Sequence, residues 1–327
     1  MTPEIQARYT PEIRAAVAHA AGAEPDKLAD IDAFESFVHE LEVDGEPRIV
    51  KATWSGRRSA EAMQAELDFV TYLADHGAPA CRPLPLRSGE LLDTVPCEGG
   101  GWHVTAWTKA PGKHLPRDDF TPEHFVPWGK LVGQFHRLGA AYRAECGPDA
   151  RPTWREEIDA LAIGDHNEPD MIEHYTVLRE QIAAVPQDTT CFGPIHADLH
   201  HGNIHWHDGT MRVFDFEDMI DYWFVSDLAV VLFHGVRYFK DESQEQARYD
   251  AFAPALFEGY ASEYELPREQ LEALPLFLAE REQVIRAVIL RSIPPETRPE
   301  FLARFVEDSG KRIRAGEPPL GLRWWLP

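Results

Sequence analysis

The sequence predicts an α+β protein with two lobes, one built on antiparallel strands and one mainly helical. Three observations carry this. The chain has 327 residues, 44% of them hydrophobic, which is enough for more than one core. Short apolar runs bounded by turn residues fall in the first third. Longer runs with apolar residues every three or four positions dominate the rest.

Taken in order, Thr10-Pro11-Glu12 supplies an N-cap, a proline at the first helical position and an early acid. That helix runs to about Ala21 and ends at Gly22. Ile31–Val43, apolar at Phe34, Phe37, Val38, Leu41 and Val43, reads as one strand. Asp44-Gly45-Glu46-Pro47 turns the chain, and Arg48–Ala52 is the antiparallel partner. Lys51 near its end suits a phosphate-facing cation; the alternative is a solvated strand lysine. Ser59–Gly77 is a helix whose apolar stripe is Met63, Leu67, Val70 and Leu73, with Glu66 beside it. Pro79–Pro96 is proline-rich loop with a short strand, and Trp102–Trp107 is a strand broken by Lys109-Ala110-Pro111-Gly112. Phe125–Tyr142 is a helix with a wide apolar face, in which His136 reads as packed and hydrogen-bonded. Residues 144–190 suggest two helices, one through Trp154, Ile158 and Leu161 and one from Met171 to Val185, among abundant acids. A helix starts near Ser226, and others span 249–264, 268–291 and 299–315. The apolar tail from Leu320 to Leu326 is expected to pack on the helical lobe, with a dimer contact as the alternative.

Composition excludes several classes. A net charge of −23 argues against nucleic acid and anionic membranes as partners, both of which attract basic surfaces. It favours, weakly, a cationic or polyol ligand. Cys81, Cys97, Cys146 and Cys191 form no CxxC pair and read as free thiols in a reducing compartment. The N-terminus lacks a basic segment followed by an apolar one. The longest apolar run, Ala229–Phe233, is far short of the roughly 20 residues of a membrane span. The expectation is a cytoplasmic protein, monomer or homodimer.

Chemistry concentrates in Ile195-His196-Ala197-Asp198-Leu199-His200-His201-Gly202-Asn203 and in Asp215-Phe216-Glu217. The pattern H-x-D-x-x-x-x-N followed by an acid at a strand end fits phosphoryl transfer. One carboxylate, Asp198, can orient and deprotonate an attacking hydroxyl. Oxygen donors from Asn203 and Asp215 can hold Mg²⁺ against ATP phosphates. Between them, Ile204–His207 and Thr210–Phe214 flank Asp208-Gly209, the signature of a hairpin with a type I′ turn. That hairpin is expected to return Asp215 toward the Asp198 loop. The histidines from His196 to His207 admit a rival reading as a zinc-dependent hydrolase, which leaves Lys51 and Asn203 without roles.

His196–Asn203 and Asp215–Glu217 resemble the catalytic and metal loops of the aminoglycoside phosphotransferase and choline kinase superfamily, whose wording is close to H-G-D-x-H-x-G-N followed by D-x-D or D-x-E. The resemblance implies a protein-kinase-like fold, with a nucleotide-binding N-lobe over 1–108 and a catalytic, acceptor-binding C-lobe over 109–327. It implies ATP and Mg²⁺ as cofactors and a small-molecule hydroxyl as acceptor, with a Ser/Thr protein kinase as the alternative. Lys51 corresponds to the strand lysine on the phosphates and Glu66, or failing it Glu61, to its helix partner. Ser36 lies where a nucleotide-covering loop is expected, although Ile31–Val38 has no glycine. Backbone groups of Ala106 to Thr108 fall where adenine is met. His196 and Asp227 brace the catalytic loop, and Glu217 is a supporting acid.

Overall fold

The computed structural model describes residues 1–33, 35–116, 119–237 and 244–319. The chain forms two compact units. The first comprises residues 1–112, 148–151 and 212–217, and the second 113–147, 152–211 and 218–327.

The first unit begins with helices α1 (Pro3–Gln6) and α2 (Pro11–Ala20), the latter capped by the Thr10 hydroxyl as expected. Strands β1 (Ala29–Ile31), β2 (Phe37–Val43) and β3 (Glu46–Trp54) follow, then helix α3 (Ala60–Asp75) and strands β4 (Pro83–Leu84), β5 (Leu92–Cys97) and β6 (Gly100–Thr108). They make one antiparallel sheet in the order β1-β2-β3-β6, with β4 and β5 both pairing β6. The single strand expected over 31–43 is two: Ile31 pairs with Val38, so the chain reverses between them. The polar residues Asp32, Glu35 and Ser36 lie in that reversal; Phe34 lies outside the described residues. The turn at Asp44-Gly45 has positive φ at both positions, 54° and 82°, as a type I′ turn requires. Val17 and Ala18 of α2 pack with Val50, Ala52, Trp102 and Val104 on one face of the sheet. Strand alternation therefore sends Lys51 to the other face.

The second unit is mainly helical. It holds α4 (Pro122–Cys146), a single π-helical turn at Arg155–Asp159 leading into α5 (Ala160–Ala162), and α6 (Pro169–Ala183). Strands β7 (Phe192–Ile195), β8 (Ile204–His207), β9 (Thr210–Val213, whose last two residues belong to the first unit) and β10 (Ile220–Trp223) follow, with β7 antiparallel to β10 and β8 paired with β9. The last helices are α7 (Val225–Val236), α8 (Glu245–Ala261), α9 (Arg268–Glu272), α10 (Leu274–Ser292) and α11 (Glu300–Ala315). The helix expected over 268–291 is interrupted because Pro275 opens a new first turn at α10, where its missing N–H costs nothing. The apolar tail lies outside the described residues. No helix among those described is long and apolar enough to cross a membrane.

Helix α7 is the axis of this unit: among its residues only His234 is more than slightly exposed. Helices α4 and α8 cross beside it in very close contact. A Cβ on Gly129 would sit 2.0 Å from the Leu256 carbonyl oxygen, and one on Gly259 would sit 2.0 Å from that of Val126. Neither clash can be relieved by rotating a side chain, because the obstacle is backbone. Gly129→Ala is expected to destabilise the protein by about 3 kcal/mol or more, read as a lowered urea midpoint. A midpoint equal to that of the parent would mean the helices do not meet this closely.

Candidate active site

In the first unit the residues gather around Lys51. Its ammonium donates to Asp215 Oδ1 at 2.5 Å and to Glu217 Oε2 at 2.9 Å, with the lysine side chain only 14% exposed. Burial alone would lower its pKa, but Asp215, Glu217 and Glu66 outweigh it and hold the amine well above its ordinary value. Burial likewise works against the charge on Glu217, yet Lys51 and Arg57 bring its pKa down to about 2. Glu66 feels the Lys51 charge, but burial dominates and pushes its carboxyl up to about 7. Glu61 is exposed at the start of α3. The lysine's hydrogen bonds are therefore to the D-x-E acids, with Glu66 in electrostatic range rather than as the bonded partner. Asp215 has φ of 69°, a left-handed backbone uncommon for a residue with a Cβ. Two bonds fix the strand before it: Val213 N–H to the Pro79 carbonyl at 2.8 Å and Cys81 N–H to the Val213 carbonyl at 2.7 Å. Ser36 is buried, its hydroxyl 3.0 Å from Thr53 Oγ1 and 3.5 Å from Glu217 Oε2. Arg57 pairs with Glu35 and lies 3.7 Å from Glu217 Oε1.

The main chain of Ala106 and Thr108 is committed to the sheet. Ala106 pairs with Val50 on one side and Leu84 on the other, and Thr108 N–H donates to the Arg82 carbonyl at 2.9 Å.

In the second unit the loop after β7 is held from α7. Asp227 is fully buried and accepts from two consecutive amides, His196 N–H at 3.0 Å and Ala197 N–H at 2.9 Å. Its Oδ2 is also 3.4 Å from His136 Nε2, and His136 in turn contacts the Tyr260 hydroxyl at 2.9 Å. His196 is buried, and its Nδ1 accepts from Asp198 N–H at 3.3 Å. The backbone turns left-handed at Ala197, φ 64°, where the superfamily wording has glycine. Asp198 follows with its carboxylate fully engaged. Oδ1 accepts from Arg281 Nη2 at 2.5 Å. Oδ2 lies 3.3 Å from Asn203 Nδ2 and 3.3 Å from His200 Nε2. Burial would raise the Asp198 pKa, but Arg281, His200 and His234 overcome it and hold the carboxyl far below the ordinary range. Asn203 also donates to the Asp198 carbonyl at 2.9 Å, which closes the loop.

Arg281 and His234 escape sequence reasoning. Arg281 is 83 positions from Asp198 on α10 and interrupts no motif. Its neighbour Glu280 turns inward, accepting from the Tyr222 hydroxyl at 2.7 Å, and Arg179 donates to that hydroxyl at 2.6 Å. The histidine run has separate uses. His200 Nδ1 accepts from Gly202 N–H at 2.8 Å, His205 meets the His114 ring edge-on at 4.5 Å, and His207 stands exposed beside Asp208. Among the described residues no three His, Cys, Asp or Glu side chains are grouped as ligands for a metal, so the zinc reading gains no support. Asp208-Gly209 has φ of 48° and 74°, the expected type I′ turn.

The model of the phosphotransferase enzyme family, APH, matches residues 34–273. The chain is 29% identical to amicoumacin kinase of Bacillus subtilis (strain 168) over 307 residues, 91% of each chain. It is 31% identical to homoserine kinase of Gluconacetobacter diazotrophicus over 226 residues, 65% of this chain and 64% of that one. Among solved structures, the amicoumacin kinase hAmiN in complex with AMP-PNP, Ca²⁺ and Ami superposes with a TM-score of 0.88 at 25% identity, covering 99% of this chain and 98% of that one. A microcompartment-associated aminopropanol kinase shares the fold with a TM-score of 0.71 at 17% identity, covering 96% and 99%.

Two outcomes follow from the geometry. Asp227→Asn keeps the shape but turns an amide N–H toward a backbone N–H, so the variant should lose about 3 kcal/mol; an unchanged unfolding midpoint would show the loop is held otherwise. For Glu280, burial raises the pKa to about 7 from 4.5 against the pull of Arg179 and Tyr222. A raised acid favours the folded state at low pH, and that stability is lost as pH climbs from about 4.5 to 7. Glu280→Gln does not titrate, so its melting temperature relative to the parent should climb between pH 5 and 8, by the equivalent of up to about 3 kcal/mol. A pH-independent difference would contradict this.

Proposed function

The chain belongs to the phosphotransferase enzyme family, and from that premise we propose that it transfers the γ-phosphoryl group of ATP to a hydroxyl of a small molecule. The observation that carries this reading is likeness to an amicoumacin kinase along nearly the whole chain, at 91% coverage of both sequences. A small-molecule kinase is the shared description of that relative and of the homoserine kinase.

The residues fit a divalent metal and a triphosphate in their donor chemistry. Carboxylate and carboxamide oxygens such as those of Asp215 and Asn203 are the hard donors that Mg²⁺ takes, and Lys51 is an ammonium already adapted to anionic partners. Bound Mg²⁺–ATP supplies the phosphoryl group and neutralises charge on its oxygens. Asp198 orients the acceptor hydroxyl and takes its proton. A carboxylate ionised so far below neutrality is available in the correct state throughout the physiological range, although it is a weak base. Its contribution is therefore mainly orientation of the hydroxyl. Lys51 binds phosphate, with Glu66 and Glu217 balancing its charge. Ser36 faces the same acids. The adenine edge is assigned to the end of β6, Ala106 to Thr108, where the Ala106 main chain and the Thr108 N–H already serve the sheet. Asp227 and His196 hold the Asp198 loop.

The direct test is ADP release over a panel of hydroxylated amines, amino acids, sugars and antibiotics, with Asp198→Ala beside the parent protein. Turnover of the preferred acceptor should fall by about 10² to 10⁴. ATP affinity by titration calorimetry should change less than about threefold, since Asp198 is assigned no contact with nucleotide. Full turnover in the variant would remove Asp198 from the chemistry.

A further inference from the structure

Asp198 is acidic in a strongly acidic protein, yet its immediate neighbours are cationic or donate to it. The guanidinium of Arg281 reaches it at 2.5 Å, and the Arg281 side chain is only 11% exposed. That guanidinium is positioned from behind. His234, on the last turn of α7, accepts through Nε2 from Arg281 Nε at 3.2 Å and from Nη2 at 2.8 Å. His200 Nδ1 accepts from Gly202 N–H, which leaves its proton on Nε2, toward Asp198 Oδ2. Among the described residues, Arg281 spends Nε and Nη2 on His234 and Asp198, and its Nη1 makes no hydrogen bond.

An acceptor hydroxyl brought to Asp198 therefore arrives beside a fixed, partly unspent guanidinium. The N–H groups left on Nη1 can donate to an oxygen acceptor, most strongly to a carboxylate or carbonyl oxygen, and the guanidinium charge repels an ammonium placed against it. Lysine in its place would keep the charge and lose the fixed planar set of donors. The geometry points to Arg281 as the residue that selects the acceptor, by binding a carboxylate or carboxamide oxygen that lies within a few bonds of the hydroxyl to be phosphorylated. This rests on the phosphotransferase reading of Asp198 and narrows its substrate to hydroxy acids and hydroxy amides. An amine elsewhere on the same molecule is compatible with it; an amine as the only group near the hydroxyl is not.

The test uses matched acceptors. L-Homoserine and L-homoserine amide carry the carbonyl, and 3-amino-1-propanol is the same skeleton without it. Longer hydroxy acids and hydroxy amides, each with its decarbonylated amino alcohol, complete the panel. Steady-state kcat and KM are measured with Mg²⁺–ATP for the parent, Arg281→Gln and Arg281→Lys, with melting temperatures as a check on folding. The parent should favour the carbonyl-bearing member of a pair by about tenfold or more in kcat/KM. Arg281→Gln should abolish that preference chiefly through KM, and Arg281→Lys should restore part of it. If Gln at this position destroys folding, the parent's preference and the Lys variant still decide. A preference for the amino alcohols, a carbonyl preference that survives in Arg281→Gln, or nucleotide binding with no turnover of any carbonyl acceptor would each overturn the inference. Failure to bind or hydrolyse ATP at all would overturn the phosphotransferase reading itself.

Discussion

The catalytic loop depends on one buried carboxylate. Asp227 has no exposed surface and spends both oxygens on the amides of His196 and Ala197. Those two bonds force a sharp reversal, and the reversal puts a residue with a Cβ into the left-handed region at Ala197, at a cost of about 1 kcal/mol. Charge-assisted bonds to a desolvated carboxylate each outweigh that cost. The order of causes therefore runs from the apolar sequence of α7, which buries its own first turn, to Asp227, to the loop, and only then to Asp198. A residue that touches no substrate sets the position of the one assigned to the hydroxyl.

The same dependence explains what was legible in the sequence. His196, Asp198 and Asn203 stand close together in the chain, and the Asn203–Asp198 bonds span five positions, so one short pattern encodes a closed loop. The turns at Asp44-Gly45 and Asp208-Gly209 were equally readable, because few residue pairs tolerate two positive φ values in succession. Arg281 is different in kind. It meets Asp198 across 83 residues, from a helix whose charged positions look like any solvated face. Periodicity reports that α10 is a helix and says nothing of which turn lies over the loop. The division of the first strand and the interruption before α10 are hidden for a smaller reason: apolar spacing runs on past the polar residues Asp32, Glu35 and Ser36 and past Pro275.

Composition says little about the immediate surroundings of Asp198 for a related cause. A net charge of −23 describes the whole surface, and at physiological salt a charge acts over roughly 8 Å. Distant acids contribute little beside Arg281 at contact and His200 and His234 around it. The field at a hydroxyl approaching Asp198 is set by these few groups rather than by the surface total.

Lys51 poses the reverse problem. A buried ammonium is tolerated only with anionic partners, and here Asp215 and Glu217 provide them at 2.5 and 2.9 Å. Under the proposed function, phosphate oxygens drawn to Lys51 would exchange one set of anionic partners for another and would not desolvate the amine afresh. Much of the cost of burying the lysine is met in folding, which would leave more of the phosphate contact as binding energy. It also assigns the D-x-E acids a structural duty in addition to any metal they hold. Glu217, with its pKa near 2, is charged near neutrality. Glu66, displaced from direct contact and raised to about 7, is the acid of this group whose charge changes near neutrality. The charge balance around Lys51 thus varies with Glu66, while the two acids bonded to the lysine keep it in place.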